Sequence, residues 1–122
     1  MKKMTTEIRR VIDDNIVQAR EARNRFDWNT CWRLLEDAHV LSQPWAWSHT
    51  RVHAAMLVAG WHARDTREVR GQIVRLLVGG AASAVGRYPT GNTGRARVSA
   101  TRPMPIRPDL AEILARSGQR TI

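Results

Sequence analysis

Residues 32–53 read WRLLEDAHVLSQPWAWSHTRVH, and the way this stretch breaks decides the fold. Before the break, Trp32, Leu35, Ala38 and His39 recur at three- and four-residue intervals, so they share one face of a helix. After it, His49, Val52, His53, Met56, Leu57 and Gly60 fall within about a third of a turn at the helical period of roughly 100° per residue. Between them stands Ser42-Gln43-Pro44. The residue before a proline is pushed out of the αR region, and proline suits the first turn of a helix. The stretch therefore predicts two helices folded back on one another. The first covers 28–41, and the second starts at Pro44 or Ser48 and ends near Arg64.

Working outward, Thr5 or Thr6 is the expected N-cap of a helix reaching Asn24, with Ile8, Val11, Ile12, Asn15, Ala19 and Ala22 on its buried face. Asn15 is expected to bond to a neighbouring backbone group there. Asp27 is a good N-cap for the next helix. Asp65 and Glu68 read as a capping box opening a fourth helix, whose apolar face carries Val69, Ile73, Leu76, Leu77 and Gly80. Residues 86–108 hold five arginines, no acid and most of the prolines, which predicts a long irregular loop. Pro108 then opens a short helix over 109–117, docked by Leu110, Ile113 and Leu114. No segment has the two-residue period of a strand. The reading is all-α: a compact antiparallel bundle of four main helices in residues 5–85, then a basic loop and a short C-terminal helix. One domain is expected over 1–122.

Hydrophobic content of 43% and charged content of 25% are those of a folded globular chain. The single cysteine, Cys31, excludes an internal disulfide and a cysteine-based zinc knuckle. The start, MKKMTTEIRR, is followed by no apolar run, and no stretch nears the roughly 18 apolar residues of a membrane span. A cytoplasmic setting with no membrane partner is expected. The net charge of +9 is uneven, with ten arginines against three acids in residues 66–122. Codon bias accounts for such an excess, and so does binding to a polyanion. Arg95, Arg97 and Arg102, beside Gly91-Asn92-Thr93-Gly94, are the candidate anion contacts for non-specific nucleic acid or an acidic partner. The loop lacks the Lys-Ser/Thr ending of a P-loop and follows no strand, and turn formation by Gly and Asn explains it as well.

The chemistry-bearing pattern is Glu36 and His39 at i, i+3, then His49 and His53 at i, i+4. With a rise of 1.5 Å per residue, Glu36 and His39 lie about 9 and 5 Å from the turn, and His49 and His53 about 8 and 14 Å. Adjacent helices pack about 8–10 Å apart, a gap that a metal ion held about 2 Å from each ligand atom can span. Imidazole is the common transition-metal ligand, so Glu36, His39, His49 and His53 are the candidate site for zinc, copper, nickel or iron. Di-iron bundles need two Glu-x-x-His units and further carboxylates, and this chain has one such unit, so a mononuclear site is expected. Cys31 and Met56 are possible additional ligands. The bland alternative is a buried polar network in which Glu36 bonds to His39 and His49. His62 lies off the face and is not included.

No activated nucleophile or separate acid–base pair is visible, so metal handling or sensing is more natural than catalysis. An enzyme with an open metal position is a further reading. The alternative of another class is a helical interaction module. It would present exposed tryptophans and the arginine-rich loop to a protein or polyanion, or pair as a homodimer. Trp28 and Trp32 are expected in the core, and Trp45 and Trp47, in the break, are the candidate exposed pair.

Four pieces stand out as a set: Leu-Glu-x-Ala-His at 35–39, His-x-x-x-His-x-x-Met-Leu at 49–57, Gly-Asn-Thr-Gly at 91–94 and Pro-Met-Pro at 103–105. With them the chain resembles a small bacterial family of unknown function. That resemblance implies a compact small domain and carries no activity.

Overall fold

The computed structural model describes residues 3–84, 86 and 88–118, and for 79–84 the backbone alone. Among the described residues there are five helices: α1 (Thr6–Asn24), α2 (Trp28–Ser42), α3 (Ala46–His62), α4 (Thr66–Ala84) and α5 (Pro108–Arg116). No strand occurs among the described residues. Each start has a local cause. The Thr5 hydroxyl accepts from the Ile8 N–H at 3.2 Å, the Asp27 carboxylate from the Thr30 N–H at 3.2 Å, and the Asp65 carboxylate from the Glu68 N–H at 3.1 Å. Proline opens α5, where its missing N–H costs nothing.

α1 packs on α2, α2 on α3, and α3 on α4, while α5 returns to lie against α1 and α2. The core is drawn from α1, α2, α3 and α5, with Ile8, Ile12, Leu35, Leu41, Val52 and Met56 almost fully enclosed. Leu110 and Leu114 dock α5, each burial contributing about 1.5–3 kcal/mol. The Asn15 amide donates to the Leu34 carbonyl at 3.2 Å, so this polar residue is satisfied by backbone, as its position required.

Three expectations change. Gln43 stays in the αR region (φ −49°, ψ −39°) although proline follows it. Its buried amide donates to the Pro89 carbonyl at 2.8 Å and accepts from the Gly91 N–H at 3.1 Å, so loop contacts fix its conformation. Trp45 is buried, at 8% exposure, while the exposed tryptophans are Trp47 and Trp61 at 77% and 73%. The chain turns so tightly, with the Trp45 N–H on the Ser42 carbonyl, that the ring is folded into the core and not left in the break.

The largest change is α4. Its enclosed side chains are Glu68 and Gln72, while Ile73, Val74, Leu77 and Val78 are exposed. Ile73 and Leu77 follow Glu68 and Gln72 by five residues, about 140° round the helix. The helix therefore turns Glu68 and Gln72 inward and leaves Ile73 and Leu77 of the expected apolar face outside, while Val69 and Leu76 of that face are half-buried. The cause lies in what α4 faces, which is a cluster of buried imidazoles and loop carbonyls that need polar partners.

Candidate metal centre

The Ser42–Trp45 turn lays α2 against α3, and His39, His49 and His53 meet at that seam, each under 5% exposed. Their Nε2 atoms form a near-regular triangle. His39 to His49 is 2.9 Å, His49 to His53 is 3.0 Å, and His39 to His53 is 3.1 Å. These three residues form a group whose ligand atoms lie close enough together to hold a metal ion. His39, His49 and His53 would hold such an ion through Nε2, where it would act as a Lewis acid.

The protons on these rings follow from their other partners. The His39 Nδ1 lies 2.7 Å from the Asn92 carbonyl, which can only accept, so Nδ1 carries the proton and Nε2 a lone pair. The His53 Nδ1 lies 2.6 Å from the Gln72 Oε1. That amide is oriented by its nitrogen, which donates to the Gly94 carbonyl at 2.8 Å and to the Glu68 carboxylate at 2.7 Å. Gln72 therefore accepts from His53, whose Nε2 is also a bare lone pair. Burial pushes the His39 imidazole well below its usual range, that of His49 down to about 3 and that of His53 down to about 4. All three rings are neutral at physiological pH. Two lone pairs thus face each other at 3.1 Å with no hydrogen between them. A proton on the His49 Nε2 relieves this only in part, whereas one cation at the centre satisfies all three nitrogens.

Around the rings the loop and α4 form a second layer that sequence reading missed. Glu68, expected to reach back to its own helix N-terminus, points inward instead. Its carboxylate accepts from Gln72, from the Ala96 N–H at 2.8 Å and from the Arg95 Nε at 2.6 Å. Only the Asp65 half of the capping box forms. The Asn92 amide donates to the Ser99 and Arg102 carbonyls at 2.9 and 2.7 Å and accepts from the Gly94 N–H at 2.8 Å, which holds the loop shut. Gly94 has φ +84°, and a Cβ there would stand 2.5 Å from the His39 ring carbon. Only glycine lets the loop lie against that imidazole. Gly91, at φ +80°, has no room for a Cβ beside the Met104 carbonyl. The spacing Gly-Asn-Thr-Gly was the available signal, but its partner on α2 was not.

Of the candidate ligands, the structure brings together His39, His49 and His53. Glu36 lies outside that group, half-buried, with its carboxylate 3.9 Å from Arg95. Its pKa is raised by burial, an effect that Arg95 opposes. Cys31 is enclosed among core side chains beside Ile16, Ala19 and Leu35, and Met56 also belongs to the apolar core. His62 is exposed, its Nδ1 on the Val58 carbonyl of its own helix.

The arginines divide. Arg95 is committed internally, ion-paired to the enclosed Glu68 and stacked 3.7 Å over the Trp32 ring. Arg97 reaches Asp65 at 3.4 Å from an exposed position, and Arg102 is exposed.

Fold and site together define an all-helical protein with a buried three-histidine cluster roofed by an ordered loop. The chain belongs to DUF3703, a family of proteins of unknown function, whose family model matches residues 6–114. No curated protein and no solved structure matches it. No described helix is long and apolar enough to cross a membrane.

Proposed function

We propose that this protein binds one divalent transition metal ion, zinc, copper, nickel or iron, through the Nε2 atoms of His39, His49 and His53, and that its role is metal handling or sensing. The observation that carries this reading is the convergence of three neutral imidazole nitrogens within 3.1 Å, two of them fixed as lone pairs by Asn92 and Gln72. Hydrogen-bonded second partners of this kind are what metal-ligating histidines use to set tautomer and ring angle. A polar network evolved only for structure would place donors opposite acceptors. Glu36 stays a peripheral member of the proposed site, near enough to Arg95 to modulate its charge but grouped with none of the imidazoles.

The test is metal analysis of untagged protein, with calorimetric titration of the apo form. One metal per chain is expected, lost in His49→Ala and in His53→Ala. Protein that retains no metal and shows no thermal shift with any of the four ions contradicts the reading.

A second reading rests on a separate observation, the outward apolar row Ile73, Val74, Leu77 and Val78 of α4. A second copy of the chain, related by a two-fold axis, is the simplest way for one apolar face to cover itself. Sedimentation of the wild type against Leu77→Glu tests this, with a dimer expected only for the wild type.

A further inference from the structure

The three imidazoles line one wall of a cavity of about 490 Å³. The other walls come from the loop and α4, and they are mostly apolar: Val78, Tyr88, Pro89, Ala100 and Pro103. One permanent charge stands among them, the guanidinium of Arg75. It is half-buried and held by two carbonyls, Gly71 at 3.2 Å and Val98 at 2.8 Å. Among the described residues it makes no ion pair, unlike Arg95, Arg97, Arg107 and Arg116. A guanidinium has five N–H donors, so donors remain after these two bonds. Arg75 lines the same cavity as His39, His49 and His53.

The charge balance then has a consequence. A divalent ion on three neutral imidazoles keeps its full double charge, because no carboxylate belongs to the donor set. Arg75 adds a third positive charge in the same cavity. Glu68, the nearest enclosed acid, is already paired with Arg95. Charge of one sign in a partly desolvated, apolar-walled space is costly unless an anion joins it.

We propose that the open face of this metal centre binds a small organic carboxylate. One carboxylate oxygen ligates the ion, the other pairs with Arg75, and the apolar remainder lies against the cavity wall. The inference rests on the metal reading above. The size of the cavity is that of a small-molecule site, and the planar fork of arginine matches a carboxylate. The walls favour an apolar tail over a bare inorganic ion.

The experiment uses the cobalt(II)-loaded full chain in chloride-free buffer, titrated with benzoate and followed by the visible absorption of the cobalt. A saturable spectral change is expected. In Arg75→Gln the benzoate affinity falls about tenfold or more, while cobalt stoichiometry and the benzoate-free spectrum stay as in the wild type. Ala100→Trp, a bulky substitution at an exposed lining position of the cavity, is expected to weaken the response while the cobalt stays bound. Cobalt bound one to one with a spectrum indifferent to benzoate overturns the carboxylate site and leaves the metal centre standing. Equal benzoate affinity in the wild type and Arg75→Gln overturns it too. Failure to bind cobalt at all overturns this inference, and failure to bind zinc, copper, nickel and iron as well overturns the metal reading beneath it.

Discussion

Replacing Gln72 by methionine probes the orienting layer without touching a ligand atom. Gln72 is fully enclosed, and methionine is close to it in length and shape. The substitution removes the acceptor 2.6 Å from the His53 Nδ1 and the donor to the Gly94 carbonyl and the Glu68 carboxylate. With no acceptor, the His53 ring is free to place its proton on either nitrogen and to rotate. Partners of this kind are worth about 10–100-fold in metal affinity, or about 1.4–2.8 kcal/mol. The orphaned buried N–H costs a further 1–3 kcal/mol, roughly, of fold stability. The assay is competition with a chromophoric chelator at neutral pH, with circular dichroism confirming the fold. One metal per chain, bound one to two orders of magnitude more weakly, is the expected result. A folded variant with affinity within threefold of the wild type refutes the claim that Gln72 orients His53 for a metal.

Four further outcomes follow from the same structure. Because the folded imidazoles of His49 and His53 titrate near 3 and 4 and an unfolded histidine near 6.5, the unfolded chain takes up protons first as pH falls. Apo stability should therefore be flat above about pH 6.5 and decline towards pH 3–4, by on the order of 3 kcal/mol for His53 alone; denaturant titrations across that range check it. Metal affinity, by the same logic, should change little between pH 7.5 and 5, roughly, since no proton has to leave the folded site. Arg95→Ala strips the counter-charge from the enclosed Glu68 and should destabilise by about 3–5 kcal/mol in urea. Phe26→Gly should stabilise by about 0.5–1 kcal/mol, because Phe26 is 80% exposed and sits at φ 60°, a region that glycine enters freely; a lower melting temperature would contradict this.

The helices were legible because their causes are local. Thr5, Asp27, Asp65 and Pro108 mark starts that depend on neighbours within a few residues. The buried face of α3 is written in its period, so His49 and His53 could be placed inward, and His39 opposite them, without coordinates. Orientation of α4 was not legible. Period alone says which residues share a face and not which face is buried, and here the buried one is polar because its neighbours are imidazoles and carbonyls. Glu68 illustrates the point, since its local role as a capping residue was plausible and its true partners lie 4, 27 and 28 positions away. Glu36 shows the converse. Its spacing to His39 fits a ligand pair, but the imidazoles group without it, and its carboxylate lies 3.9 Å from Arg95, a loop residue that the spacing did not reveal. Gln72 carried no signal of its own, and Asn92 only that of the Gly-Asn-Thr-Gly turn, because amides are common on helices and in turns and acquire meaning only from what they face.

The central claim is that three Nε2 atoms bind a single ion. X-ray absorption at the metal edge of the zinc-loaded, untagged protein tests it most directly. The structure predicts three imidazole nitrogens at about 2.0–2.1 Å with no sulfur in the first shell. A shell with sulfur, or one with fewer than three imidazoles, would contradict it.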